Sequence, residues 1–303
     1  MQRKIIQQSA TSLGISLPSK WTKKWNLKKG NLIDLEEKDN LLEIKPEKFK
    51  PAEKKITIDT AIYGELIGRV FPNLSKKGYD EIKVLYKKDS DLQPLKKAIS
   101  NEVVMFETIK KESDYIILRA ISEIDEKELE NIKKRIIFLM IDSIQKIKLF
   151  LDNNNPDLLN DLIELELAGN KFTHICMRAI NKQPEKEHSH MEYTFIWQME
   201  KLGNDFKFFA KANPKNMNKK IISHFARVMD NLKLVMEIYL KYDPKKAVEF
   251  YSNRNKLNSE ALVLLNNKNN PNENNVLHLS LSMTEKALYL LGLIFGSIED
   301  QYF

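Results

Sequence analysis

Apolar and polar positions change their rhythm along the chain. Over the first fifty residues they alternate. Residues 3–8 (Arg-Lys-Ile-Ile-Gln-Gln) read as a strand and Ser9-Ala10-Thr11-Ser12 as a turn. Leu13, Ile15 and Leu17 then alternate with Gly14 and Ser16, the period of two of a half-buried strand. Pro18-Ser19 opens a short helix with Trp21 and Trp25 four apart on one face. Lys28-Lys29-Gly30 closes it, the glycine supplying the left-handed residue that helix ends favour. Alternation resumes from Asn31 to Glu37, Asp39-Asn40 marks a hairpin turn, and Leu41 to Lys45 returns as a strand that Pro46 ends.

Residues 47–55 form a Lys/Pro/Glu linker, and strand-like and helix-like stretches take turns over 55–125. Strands are predicted at Lys55–Asp59, Tyr79–Tyr86, Val103–Ile109 and Tyr115–Ala120, with helices near 61–71 and 92–99. This is a small α/β domain with one helical layer on a four-stranded sheet. From Glu126 onward the period becomes helical. Asn155-Pro156, Asn213-Pro214, Asp243-Pro244 and Asn270-Pro271 each place a capping side chain before a proline suited to the first helical turn. With starts at Glu126 and near Glu185, six helices are expected, over 126–152, 156–182, 186–211, 214–242, 244–267 and 272–302. Short connections make neighbours antiparallel, hence two three-helix bundles side by side. The expected fold is multidomain α+β, with domains at 1–46, 55–125 and 126–303.

Charge sharpens this division. The 303 residues carry 49 Lys and Arg, 42 Asp and Glu, and a net charge of +7. Residues 1–30 hold Arg3, Lys4, Lys20, Lys23, Lys24, Lys28 and Lys29 and no acid, so the rest of the chain is neutral. A localised basic field points to a polyanionic partner. The longest apolar run, Ala287–Phe295, is too short for a membrane span. The opening Met1-Gln2-Arg3-Lys4 is unlike a secretory leader. A single cysteine, Cys176, allows no intrachain disulfide, and a cytoplasmic location is expected.

The order strand, turn, strand, Leu-Pro-x-x-Trp helix, Lys-Gly turn, strand, strand resembles the AbrB (swapped-hairpin, SpoVT-type) DNA-binding domain. The matching pieces are Ser16-Leu17-Pro18-Ser19-Lys20-Trp21, Asn26-Leu27-Lys28-Lys29-Gly30-Asn31 and Asp39-Asn40-Leu41-Leu42-Glu43-Ile44. That family usually carries Gly-Asp where this chain has Gly30-Asn31. The resemblance implies a homodimer of interleaved hairpins holding double-stranded DNA. Arg3, Lys4, Lys20, Lys23 and Lys24 are then the expected phosphate contacts, with Ser9, Thr11 and Ser12 adding hydrogen bonds. Lys28 and Lys29 read as turn solubilisers.

In the helical part, Glu166-Leu-Ala-Gly169-Asn170-Lys-Phe172 recurs 34 residues on as Glu200-Lys-Leu-Gly203-Asn204-Asp205-Phe206. Glu and Asn four apart share a helical face. That face also carries Leu159, Ile163, Thr173 and Met177 in the first case, and Tyr193, Trp197 and Phe208 in the second. A carboxylate in an apolar stripe needs a partner: a neighbouring helix, water or a metal. The bundle resembles the PhoU family of phosphate-uptake regulators, whose paired Glu and Asp hold iron or zinc clusters. Glu166, Asn170, Glu200, Asn204 and Asp205 are the candidate donors. Asn in place of Asp removes a charged oxygen, which favours a hydrogen-bond network over a metal site. Glu249 with Asn253 keeps the spacing, and Glu285 is followed by Tyr289. The combination resembles a fusion found in archaeal phosphate uptake regulators.

No other constellation competes. His188-Ser189-His190, and His174 with Cys176, are two apart and do not share a helical face. His224 and His278 stand alone, and no Gly-rich phosphate loop or nucleophile elbow occurs. The expectation is therefore a non-enzymatic, cofactor-free transcriptional regulator of phosphate uptake, without membrane insertion. Its bundle would sense a signal or dock a phosphate-transport or signalling protein. The alternatives are an adaptor that uses its hairpins only to dimerise, and a metal-binding bundle.

Overall fold

A computed structural model describes residues 2–38, 41–46, 53–183, 189–215 and 217–297. The chain divides into two compact units, Met1–Glu53 and Lys54–Phe303.

In the first unit β1 (Ile5–Ser9) pairs antiparallel with β2 (Ser12–Ile15), α1 spans Ser19–Lys24, and β3 (Ile33–Lys38) pairs antiparallel with β4 (Leu41–Pro46). Each hairpin is a separate two-stranded sheet. The β3/β4 register ends on Lys38↔Leu41, and the expected turn at Asp39-Asn40 lies outside the described residues. Helix α1 ends earlier than expected. Asn26, at φ 49°, takes the left-handed conformation that closes it, and the Leu27 N–H reaches the Thr22 carbonyl at 2.9 Å. Asparagine is one of the few residues besides glycine that enters that region, so the helix does not have to run on to Gly30. Gly30, at φ 90°, serves a second turn instead, where Asn31 Oδ1 accepts the Lys28 N–H at 2.7 Å.

The alternation in this unit predicts half-buried strands, but among its described residues none is buried. Leu13 is 64 % exposed, Leu35 59 % and Leu41 68 %. A two-stranded ribbon has no second layer to cover its apolar side chains.

The second unit begins with a sheet ordered β5 (Lys55–Asp59), β6 (Glu81–Leu85), β8 (Tyr115–Ala120), β7 (Phe106–Lys111). The β5/β6 pair is parallel and the others antiparallel. A parallel pair needs a crossover, which α2 (Thr60–Tyr63) and α3 (Ile67–Lys76) supply, while α4 (Gln93–Asn101) leads on to β7. The helix expected over 61–71 breaks at Gly64, whose φ of 52° interrupts it. β7 starts later than the predicted Val103, because Val103 and Met105 bury in the approach to the strand. Ile58, Ile82, Val84, Ile116 and Leu118 cover one face against Ile67, Phe71 and Leu95. The other face, with Lys55, Thr57, Glu81, Lys83 and Arg119, stays open or half-open.

Six long helices follow among the described residues: α5 (Glu126–Asn153), α6 (Asp157–Lys182), α7 (Ser189–Ala212), α8 (Lys219–Leu240), α9 (Pro244–Leu265) and α10 (Pro271–Phe295). The expected start of α7 near Glu185 falls outside the described residues. Asp125, Asn155, Asp243 and Asn270 accept backbone N–H groups at four of the starts. Asn213-Pro214 does not start α8. Asn213, at φ 44°, instead terminates α7, and Asn218 caps α8. An Asn-Pro pair fits a helix end as well as a helix start. The Asn218 N–H also donates to Glu273 Oε1 at 2.7 Å, which ties the first turns of α8 and α10 together. One large apolar core runs through the bundle, with Phe150, Phe206, Phe209, Phe225 and Phe250 fully buried. No described helix is long and apolar enough to cross a membrane.

Candidate nucleic-acid interface

In the first unit the candidate contact residues cluster on the first hairpin and α1. Arg3 and Lys4 lead into β1, Lys20, Lys23 and Lys24 lie on α1, and Ser9, Thr11 and Ser12 form the β1/β2 turn. All eight are exposed. Lys23 and Lys24 sit in the last turn of α1, where the helix dipole favours cations, and the Lys24 ammonium lies 5.2 Å from the Trp25 ring. The acids are held elsewhere. Asp34, Glu36, Glu37 and Glu43 all fall on the second hairpin, where Lys45 bridges Glu36 at 3.1 Å and Glu43 at 3.3 Å. Hydrogen bonds to Glu36 and then Glu43 raise the Lys45 pKa against a small burial penalty. The unit thus has a basic half without acids in its sequence and a mixed half in which Lys45 bridges two of them.

The polar faces of the bundle look different at every candidate position. Glu166, 4 % exposed, accepts from Asn170 Nδ2 at 2.8 Å and from the Lys207 ammonium. Lys207 also reaches Asn204 Oδ1 at 2.9 Å, so the two repeats are joined through one lysine. Glu200 is bridged by Lys201 at 2.8 Å and Lys76 at 3.3 Å. Asn204 donates to the Glu200 carbonyl rather than to its side chain. Asp205 turns away from this group and accepts from Lys286 at 2.6 Å and Ser282 at 2.9 Å. Each candidate carboxylate therefore already holds an ammonium, and the donors do not fit a metal cluster. Among the described residues no three His, Cys, Asp or Glu side chains gather to bind an ion.

The stripe expected beside Glu200 is only half real. Trp197 is 41 % and Phe208 54 % exposed, and the core side of α7 is carried by Phe195, Ile196, Met199, Phe206 and Phe209. This helix is apolar round most of its circumference, so periodicity does not single out one stripe. Of the two glycines of the repeat, Gly203 allows close approach, since a Cβ there would stand 3.3 Å from Met140 Cε of α5, whereas one on Gly169 would stand 4.0 Å away, in ordinary contact. Glu249 and Asn253 line a groove between α8 and α9, while Glu285 is bridged by Arg254 at 2.7 Å.

Sequence reasoning missed a buried polar joint between the sheet layer and the bundle. Arg178, 2 % exposed, donates to the Ser75 carbonyl at 2.9 Å, the Tyr79 carbonyl at 2.7 Å and Asp80 Oδ1 at 2.7 Å. Lys182 adds a second contact to Asp80 at 2.8 Å. Asn181 caps the Lys76 carbonyl at 2.7 Å, and His174 Nε2 lies 2.9 Å from Ser75 Oγ. Burial, then the nearby Lys76 and Arg178, push the His174 pKa down to about 3, so its ring is neutral. The spacing 174, 178, 181, 182 on one helical face was the available signal. It identifies a polar stripe but not its partner, the carboxyl end of α3.

Residues 6–52 match the family model for antidote-toxin recognition MazE, a bacterial antitoxin. The matched stretch covers both hairpins and α1, in keeping with the AbrB-type reading of this unit. No curated protein and no solved structure matches the chain.

Proposed function

We propose that the chain is a DNA-binding regulator acting as a homodimer through its first unit, with the second unit as its sensing or docking body. One observation carries this reading: an exposed basic half, free of acids over thirty residues, on a unit whose apolar strands find no cover within one chain. Interleaving with a second copy would bury Leu13, Leu35 and Leu41 and double the basic field. Arg3, Lys4, Lys20, Lys23 and Lys24 would contact phosphates, and Ser9, Thr11 and Ser12 the backbone or base edges. Phosphate uptake is the process we assign to it, supported by the six-helix bundle and the repeated Glu-x-x-Gly-Asn-x-Phe. The carboxylates of that repeat act in helix registry, through Lys207 and Lys76, without metal and without catalysis.

The test is fluorescence anisotropy of labelled duplex DNA with the full chain across a salt series. Binding should weaken by roughly 0.9 log units per log of salt for each phosphate contacted. Replacing Lys20, Lys23 and Lys24 together by Ser should lower both affinity and slope. Unchanged binding in that variant, or none by the intact chain at low salt, would overturn the reading. The family match favours a second reading, in which the first unit belongs to an antidote whose partner is a toxin protein. That partner would co-purify in a complex insensitive to moderate salt.

A further inference from the structure

Helices α3 and α4 cover one face of the four-stranded sheet, and the side chains of its other face are exposed or half-exposed. Three cross-strand rows run over that open face. In the first, Lys55, Glu81, Arg119 and Glu107 stand side by side on β5, β6, β8 and β7. Thr57, Lys83, Ile117 and Lys110 make the second row, and Asp59, Leu85 and Tyr115 the third. Glu81 is bridged by Arg119 and, at 3.5 Å, by Lys55. Tyr115, half-buried, has the Lys83 ammonium 3.8 Å from its ring centre and accepts from Lys110 Nζ at 2.8 Å.

Charge in the first row alternates plus, minus, plus, minus. Turned end for end it presents minus, plus, minus, plus, so the row is complementary to itself. A two-fold axis along the strands, between β6 and β8, performs that reversal: it sets β5 over β7 of a second copy, and β6 over β8. Lys55 then faces Glu107, and Glu81 faces Arg119. The other two rows are consistent with the same axis. It sets Lys83 over Ile117 and Lys110 over Thr57, so no lysine meets a lysine, and it sets Leu85 over Tyr115. One self-complementary patch used by both subunits is the geometry of a two-fold interface, and sheets pack face to face with their strands nearly aligned. The interspersed acids and bases of this face suit a second copy better than a polyanion, which favours one sign of charge.

We propose that in the homodimer the open sheet faces of the two second units pack on each other about this axis. The inference rests on the homodimer reading above for its strength. Opposed charges fix register more than they add affinity, and exposed ion pairs add little. Two copies already joined by their first units meet at an effective concentration in roughly the millimolar range, enough for a weak contact to form. Without that tether the two sheets part, and the chain is a monomer.

The test is zero-length carbodiimide cross-linking of the full chain at low salt, with peptide mass spectrometry of the covalent dimer and sedimentation of the same sample. Within one chain Lys55 and Glu107 lie on opposite edge strands, roughly 14 Å apart at about 4.8 Å per strand, too far for a direct bond. A Lys55–Glu107 linkage is expected in the covalent dimer and not in the monomer. Arg119→Glu sets like charges opposite Glu81 of the second copy and should lower the yield of that linkage by about tenfold or more. Adding Glu81→Arg should restore it. Should Arg119→Glu fail to fold by circular dichroism, raising the salt on the intact chain tests the same charges: the linkage should fade while the dimer persists. A sedimenting dimer without the Lys55–Glu107 linkage, or full yield in the folded Arg119→Glu chain, would overturn the proposal and leave the homodimer reading standing. A monomeric intact chain would overturn both.

Discussion

The two units of this chain solve the same problem in opposite ways. The second unit buries its apolar residues within one chain and answers nearly every buried charge with a partner. The first unit differs on both counts: Leu13, Leu35 and Leu41 stay more than half exposed, and its first thirty residues contain no acid. Burial of apolar area is the main source of folding free energy, at roughly 25 cal/mol per Å². The second unit can stand on its own core. On the proposed reading, the first would draw its stability from a second copy and its charge balance from a polyanion. The comparison teaches that unmet physical demands point to interfaces: the deficient unit is where a second copy and a polyanion are expected.

The largest effect should come from breaking what the first unit lacks alone. Leu35→Asp with Leu41→Asp places charges where a second copy would bury leucines. Sedimentation should then show monomers, and DNA affinity should fall by about a hundredfold or more, as simultaneous engagement of two units is lost. The thermal transition of the second unit should not move. A dimer that survives would place the dimer contact elsewhere.

Next comes the opposite experiment, on the self-sufficient unit. Arg178→Met removes three donors from the joint, strips the Tyr79 carbonyl of its side-chain partner, leaves the Ser75 carbonyl with the Gly78 N–H, and leaves Asp80 with Lys182 and the Lys54 N–H. Breaking a buried pair by removing one partner costs about 3–5 kcal/mol. Urea denaturation should show a loss of that order, while DNA affinity at temperatures below the transition stays unchanged. Affinity that falls in step with stability would mean the two units are coupled.

Much of this contrast was legible in the sequence, for identifiable reasons. The charge split, the strand order and the six helices follow from local composition and period, which need no knowledge of partners. The helix starts at Asp243 and Asn270 were readable because the capping side chain and the proline are adjacent in sequence. The Asn213-Pro214 pair misled because the same residues can end a helix in the left-handed region. The joint at Arg178 was hidden because its partners lie about a hundred residues away and are mostly backbone carbonyls, which carry no sequence signal. The lysines on Glu166 and Asp205 were missed for the same reason: Lys207 and Lys286 are ordinary surface residues until the helices pack.

A smaller effect separates two acids within the second unit. Burial opposes the Asp80 carboxylate, but hydrogen bonds from Lys182 and the Lys54 N–H, with the Arg178 charge, hold its pKa below the usual value. Its stabilisation is present above the unfolded pKa and is lost as pH falls through the folded one. Glu102 is the reverse: burial leads, Glu200 and Glu166 add to it, and its pKa is raised despite Lys76. Its charge therefore opposes folding at neutral pH. Glu102→Gln should raise the melting temperature at pH 7, with the gain vanishing under acid conditions. Asp80→Asn should lower it at pH 7, with the loss shrinking in acid. Parallel pH profiles for the two variants would remove the distinction.

The smallest effect returns to the first unit and tests whether its charge or its turn geometry governs binding. Asn31 Oδ1 accepts the Lys28 N–H at 2.7 Å, inside the turn that Gly30 makes possible. Asn31→Ala deletes that acceptor and should destabilise the first unit by about 1 kcal/mol, the usual worth of such a bond. Asn31→Asp keeps an acceptor at the same atom and adds a negative charge beside Lys28 and Lys29. It should stabilise the turn while weakening DNA, because it sets an acid among residues that otherwise carry none. The two substitutions therefore move stability in opposite directions. If Asn31→Asp binds DNA as tightly as the parent chain in low salt, the net field of the first thirty residues is not what holds the duplex. The contacts of Arg3, Lys4 and α1 would then have to be sought one side chain at a time.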